Sequence, residues 1–174
     1  RKLFYGEPTP ANDRKMKYRQ LDKITSIEPG VRITAERTLH ADEEYLLVHF
    51  PRFPVMPGVM MLEALHQAAI WMIRTGDGFE SALVTLKEVR GVKFGDFLSP
   101  GETLQINAEV VKNDGNLTTV KATAQKEGRT TVSARLVLER RSCNDPERLK
   151  TDEDVRQRAN KQFDELFGSI DLIP

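Results

Sequence analysis

The sequence predicts an α+β domain in which a curved antiparallel β-sheet wraps around one long central helix. Two patterns carry that expectation. From Val59 to Ile73 almost every residue is apolar, interrupted only by Glu63, His66 and Gln67, so a helix here has to be covered on nearly every side. Beyond it the period changes from helical to two-fold: Leu104, Ile106, Ala108 and Val110 share one face while Thr103, Gln105, Asn107 and Glu109 share the other. A sheet with one apolar face and a helix apolar nearly all round bury each other when the sheet curls around the helix. A two-layer sandwich, with the helix packed flat, has the same periodicity and stays open at this level.

The elements follow in order. Residues 1–18 are polar, with Pro8, Pro10 and a basic cluster at Arg14, Lys15 and Lys17, and read as an N-terminal arm. The domain proper spans 19–141. Leu21 to Ile27 precede the turn Glu28-Pro29-Gly30, after which Val31, Ile33, Ala35 and Leu39 alternate with polar residues, so a hairpin is expected. Tyr45 to Phe50 form a short apolar run. Pro51, Pro54 and Pro57 then recur at every third position, which predicts a stiff extended loop from His49 to Met56. Pro57-Gly58 suits a helix entry, and Thr75-Gly76-Asp77-Gly78 ends the helix. Ala82, Val84 and Leu86, then Val89, Val92 and Phe94, begin the long strands. Asn113-Asp114-Gly115-Asn116 predicts a hairpin with Asp-Gly in a type I′ turn. Val120, Ala122 and Ala124 continue the apolar face; Glu127-Gly128 turns again; Val132, Ala134, Leu136 and Leu138 provide the last strand. Residues 142–174 form a charged extension. There Asp145-Pro146 and Thr151 to Asp154 read as helix caps, and Val155, Ala159, Phe163, Leu166 and Phe167 recur at helical spacing. Edge strands of such a sheet need covering, and a dimer with a continuous sheet supplies it.

Composition narrows the function. With 174 residues and 39% hydrophobic content, one domain with a small appendage is expected. Lys+Arg and Asp+Glu are both 26, so there is no global basic field for nucleic acid. The longest apolar block is broken too early to span a membrane, no signal peptide is recognisable, and the single cysteine, Cys143, fits a reducing compartment; a cytoplasmic location is expected. Three histidines and no His-Glu-x-x-His argue against a metal site. Glu63 and His66 share the Glu-x-x-His spacing of di-metal bundles, but those need a second copy on another helix.

What remains is a carboxylate in an apolar helix. Glu63, His66, Gln67 and Arg74 lie on one narrow stripe, and a buried salt bridge from Glu63 to Arg74 or Arg90 is the structural explanation for it. A chemical explanation comes from the flanking loop. His49-Phe50-Pro51, Pro54-Val55-Met56-Pro57-Gly58-Val59 and Glu63-Ala64-x-x-Gln67 resemble the active-site signature of the 3-hydroxyacyl-[acyl-carrier-protein] dehydratases of fatty-acid synthesis. Similar turns and strands extend the likeness over Arg19 to Arg141. The resemblance implies a hot-dog fold, an acyl thioester carried on acyl carrier protein, no cofactor, and a homodimer or three such dimers assembled together. It also implies an active site that joins His49 of one subunit to Glu63 of the other. Val48 and Arg52 stand where that family usually has glycines, its His-Arg-Tyr-Pro-Phe type segment is not recognisable around Lys17 to Leu21, and the C-terminal extension is additional.

The reaction demands a base and an acid, because a weakly acidic α-proton must leave and hydroxide is a poor leaving group. Neutral His49 can take the proton, and Glu63, kept protonated by apolar surroundings, can supply one to the hydroxyl. Backbone N–H groups of Gly58 and Val59 at the helix N-terminus are placed to receive the enolate oxygen, and Gln67 can hold the carboxyl. Phe50, Met56 and Pro57 are expected to line the substrate; Phe53, Met60, Leu65 and Phe94 bear on chain length. Arg52, Lys87, Arg90 and Lys93 are candidates for the carrier's acidic surface or its phosphate. A hot-dog thioesterase, in which Glu63 activates water, and a silent acyl-binding protein are the alternative functions.

Overall fold

A run of residues apolar on nearly every side has to be enclosed, and the computed structural model, which describes residues 19–142 and 151–167, encloses it in a six-stranded sheet. The strands are β1 (Lys23–Glu28), β2 (Arg32–Thr38), β3 (Leu83–Phe94), β4 (Thr103–Asp114), β5 (Leu117–Lys126) and β6 (Arg129–Arg141), and the helices are α1 (Gly58–Gly76) and α2 (Asp152–Phe167). Sheet order is β1-β2-β4-β5-β6-β3, and every neighbouring pair is antiparallel. The curved sheet wraps α1, which touches all six strands. The N-terminal arm and the Asp145-Pro146 cap lie outside the described residues.

Alternation explains the inner face. Leu104, Ile106 and Ala108 of β4, Val120, Ala122 and Ala124 of β5, and Val132, Ala134, Leu136 and Leu138 of β6 are all buried. They meet Met61, Ala64, Leu65, Ala68, Ala69 and Met72 of α1 in one apolar cluster. Three of those six are alanine, which lets strands approach the helix axis closely. In β3 the simple alternation fails: register shifts at Leu86/Glu88 and Arg90/Lys93 insert extra residues and re-aim the side chains, and Val84 is buried while Leu86 is 37% exposed.

Two turns differ from expectation. Asp114 pairs with Leu117, so the central residues of the β4–β5 hairpin are Gly115 and Asn116 rather than Asp114 and Gly115. Only Gly115 has positive φ, +59°, so the turn is not type I′; a single glycine at the first central position meets its conformational demand. Glu127 and Gly128, both at positive φ, take the type I′ pattern between β5 and β6 instead. Val31 sits in the β1–β2 turn and is 47% exposed, outside the apolar row it was expected to join.

That β1–β2 turn is bolted to the end of α1. The Gly30 N–H donates to the Met72 carbonyl at 3.0 Å, and a Cβ added to Gly76 would fall 2.3 Å from the Gly30 Cα. The helix can only end here because neither residue has a side chain. At the same end α2 docks: Phe163 lies 5.5 Å from the Trp71 ring and 5.7 Å from the Phe79 ring, and Ala159 is buried. Thr151 caps α2, its hydroxyl accepting from the Asp154 N–H at 3.2 Å while the Asp154 carboxylate accepts from the Thr151 N–H at 3.0 Å. Among the described residues no helix is long and apolar enough to cross a membrane. Gly76→Ala is expected to lower unfolding free energy by about 1–3 kcal/mol, the usual cost of overpacking, when measured by urea denaturation. Unchanged stability would mean that the β1–β2 turn moves aside freely.

Candidate active site

The loop before α1 is not extended throughout. Glu44–Leu47 form a single 3-10 turn, the His49 N–H donates to the Tyr45 carbonyl at 2.8 Å, and the Phe53 N–H closes a turn on the Phe50 carbonyl at 2.8 Å. Pro51 takes the second position of that turn, where its fixed φ is favourable, which is why three prolines do not make one straight segment. Phe50 adopts φ +49°, a left-handed conformation that a large side chain rarely takes. Its ring lies 4.6 Å from that of His49. From Pro54 the chain does run extended into Pro57, and the Met56 N–H is tied to the Leu98 carbonyl at 2.9 Å.

Helix α1 begins at Gly58 with no side-chain cap, so the first-turn N–H groups of Gly58 and Val59 have no acceptor within the helix. Gly58 is closely packed: a Cβ there would come 3.0 Å from the Phe94 ring, which would have to give by a few tenths of an ångström. Val59 is 67% exposed. Met56, by contrast, is 2% exposed and packs in the core, and Pro57 is half-buried between them. Leu47, Val48, Phe50, Phe53, Phe94 and Phe97 make an exposed apolar surface about the loop and helix entry, with Phe53 and Phe97 edge to face at 5.9 Å.

Glu63 projects from the incompletely covered side of α1. Its carboxylate accepts from Gln67 Nε2 at 2.9 Å and lies 3.0 Å from His66 Nδ1. No ion pair to Arg74 or Arg90 forms. Arg90 is bidentate to Glu88, and Arg74, on the same stripe but about 16 Å further along the helix axis, stacks over Trp71 at 5.7 Å. Within one chain His49 and Glu63 are not paired either: His49 rests against Phe50 while Glu63 is held by its own helix. Burial pushes the Glu63 carboxyl upward, but the hydrogen bonds from His66 and Gln67 and the attraction of His66 outweigh it, and the group is held below its ordinary 4.5. In the single chain the Glu63 shift thus runs opposite to the one that apolar surroundings alone would give. Its side chain is 41% exposed, too wet for burial to win.

The sequence places His66 on the Glu63 stripe and weighs it as a metal ligand; the structure has it bracing the carboxyl instead. The sequence pattern did not point to one residue behind this carboxyl. Arg37 lies behind Gln67 and is 3% exposed. Its one signal was that it occupies an inward position in the row Ile33, Ala35, Leu39.

A helix sleeved by an antiparallel sheet defines a hot-dog protein, here with a histidine in the proline-bearing loop and a braced carboxylate on the helix. The family model for the FabA-like domain matches residues 13–135, and the chain belongs to that family. It is 35% identical over 118 residues to the 3-hydroxyacyl-[acyl-carrier-protein] dehydratase FabZ of Levilactobacillus brevis, covering 68% of this chain and 80% of that protein. The enzyme of the same name from an Anaeromyxobacter species is 36% identical over 118 residues, covering 66% of this chain and 75% of that one. Among solved structures, the dehydratase heterocomplex ApeI:P of Xenorhabdus doucetiae superposes with a TM-score of 0.64 at 18% identity, covering 78% of this chain and 91% of that one. Zebrafish thioesterase superfamily member 2 superposes with a TM-score of 0.58 at 14% identity, covering 76% and 88%, and shares the fold.

His66→Ala removes both a hydrogen bond and a charge attraction, so the Glu63 carboxyl is expected to titrate at higher pH, as read by carbon NMR of labelled glutamate. The sign for stability follows. A carboxyl depressed below 4.5 contributes stability that is present above that pH and lost as pH falls through the folded value, and this acid-side loss is expected to shrink in the variant. A titration unmoved by the substitution would leave Gln67 as the sole determinant.

Proposed function

We propose that this chain is a hydro-lyase that dehydrates a (3R)-3-hydroxyacyl thioester, carried on acyl carrier protein, to the trans-2-enoyl thioester in fatty-acid or related lipid synthesis. The observation that carries the reading is the Glu63 carboxylate, presented on the uncovered side of an otherwise apolar helix and gripped by Gln67 and His66. Its FabA-like family and its FabZ relatives supply the reaction class.

In the proposed reaction neutral His49 takes the α-proton, the C–H electron pair becomes the Cα=Cβ bond, and the β C–O bond breaks. Protonated Glu63 donates to the departing hydroxide, which leaves as water. The N–H groups of Gly58 and Val59, aligned with the α1 dipole, receive the charge that builds on the thioester oxygen. Transfer of the proton from His49 to Glu63 restores both groups.

The active species in this reading is a homodimer in which His49 of one subunit faces Glu63 of its partner. Exposed Val59, Phe50, Phe53, Phe94 and Phe97 form an apolar surface suited to burial against a second subunit, and β3 is a long edge strand able to extend the sheet. Removing water from Glu63 strengthens the burial effect and allows the carboxyl to carry a proton when substrate is bound. A reducing, cytoplasmic setting accords with one cysteine.

His49→Ala and Glu63→Gln are each expected to remain folded and to lose about 10²–10⁴-fold in kcat, the range for positioned acid–base groups. Mixing and reassorting the two inactive proteins is expected to restore activity at about a quarter of the sites, because half of the dimers are mixed and each mixed dimer holds one intact site. The assay follows loss of water from 3-hydroxyacyl carriers by mass spectrometry. Release of free thiol and acid would identify a thioesterase, and a near-normal rate in either single variant would reject the assignment.

A further inference from the structure

Arg37 is a cation in an apolar row, with Ile33, Ala35 and Leu39 on the same inward side of the β2 segment, and it is fully committed. Its Nη2 donates to both carboxylate oxygens of Glu43, at 2.6 Å each, and its Nε donates to Gln20 Oε1 at 3.2 Å. Nη1 donates to the Thr38 carbonyl and lies 3.8 Å from Asp22 Oδ1. Gln20, 2% exposed, then passes the constraint on: its backbone N–H donates to Gln67 Oε1 at 2.8 Å. With Oε1 taken by a donor, the Gln67 amide is fixed in one sense and its Nε2 points at the Glu63 carboxylate, 2.9 Å away.

The other branch leads to the histidine. Glu43 is the N-cap of the 3-10 turn, its carbonyl accepts the Leu46 N–H at 3.0 Å, and the Tyr45 carbonyl two residues on accepts the His49 N–H at 2.8 Å. The His49 backbone is thus two short steps from the guanidinium fork. Nη2 reaches both Glu43 oxygens while Nε and Nη1 hold Gln20 and the Thr38 carbonyl, and three donors fixed in one plane set orientation as well as distance, which a lysine cannot do.

We propose that Arg37 is a positioning residue for both halves of the reaction, setting the Glu63 carboxyl through Gln20 and Gln67 and setting the turn that carries His49 through Glu43. The proposal rests on the dehydratase reading for its kinetic consequence but not for its geometry. Arg37 itself touches no reacting atom. Its loss acts by letting the Gln67 amide rotate and the 43–49 segment shift, and a displacement of about an ångström at such groups costs up to 10²-fold in rate.

The test uses the full chain with Arg37→Lys, which keeps the charge but loses the fork, and Arg37→Met/Glu43→Gln, which removes both charges so that neither is stranded. Each is expected to stay folded and to lose roughly 10–100-fold in kcat with KM changed less than about 2-fold, the signature of an interaction that acts on the chemical step. In parallel, the side-chain amide resonances of Gln67 and the ring resonances of His49 are expected to shift in both variants. A kcat loss without movement of either set of resonances, or unaltered kcat with both unmoved, overturns the proposal. Should wild-type protein fail to dehydrate any 3-hydroxyacyl carrier, the functional reading fails by itself, and the resonances then decide the network: movement of both sets sustains it and static spectra reject it. If the double variant does not fold, Arg37→Lys carries the same readouts.

Discussion

The enclosure of α1 is the constraint from which the rest of the molecule follows. Ala64, Leu65, Ala68, Ala69 and Met72 are wholly buried, and a helix with such a face can only persist inside a sheet that curves around it. Curvature comes from register shifts in β1, β3, β4 and β6, each of which bends its strand locally. The helix ends where the β1–β2 turn meets it through two glycines, and begins where Phe94 packs against Gly58. Both ends are therefore set by sheet residues. The Gly58 and Val59 N–H groups, which have no acceptor within the helix, are held at a defined place relative to β3.

The buried cation Arg37 is admitted to this apolar interior as part of a connected set. Leaving a buried donor unmet costs about 1–3 kcal/mol, so a guanidinium at an inward strand position has to be answered several times over. Glu43, Gln20, Asp22 and the Thr38 carbonyl answer it. The same need for satisfaction carries the network onward, because Gln20 and Gln67 each spend one group on the network and direct the next. Order is transmitted from a salt bridge on β2 to a carboxylate on α1 by hydrogen bonds alone.

Much of this was legible in the sequence, for physical reasons that can be named. Period-two alternation at Leu104 to Val110 and the apolar run from Val59 to Ile73 are dictated by burial, and burial is what a hydrophobic pattern records. The spacing of Glu63 and Gln67 put them one helical turn apart whatever the tertiary structure. Where the pattern failed, geometry finer than periodicity decided. The Gly115-Asn116 turn is displaced by one residue because strand register, not the Asp-Gly dipeptide, chooses the central pair. The loop at Phe50 folds back because a proline at the second position of a turn is as comfortable as one in an extended strand. Arg37 was overlooked because an alternation search passes over a cation at an inward position, and only the coordinates show that Glu43, six residues later in the chain, returns to neutralise it.

The charge of Glu63 ties the chemistry to assembly. In a single chain the competition at this carboxyl is between burial, which favours the neutral acid, and the donors His66 and Gln67, which favour the anion, and the donors prevail. General-acid catalysis in the proposed reaction needs the opposite outcome. Neither donor has to be removed to reverse it, because desolvation grows as water is excluded, while the Gln67 bond, made to a neutral amide, persists with either protonation state. The exposed apolar residues around the helix entry are the surface whose burial would exclude that water. In the proposed reaction, covering that surface would shift Glu63 toward the neutral acid, and proton transfer would be confined to the assembled, substrate-filled site.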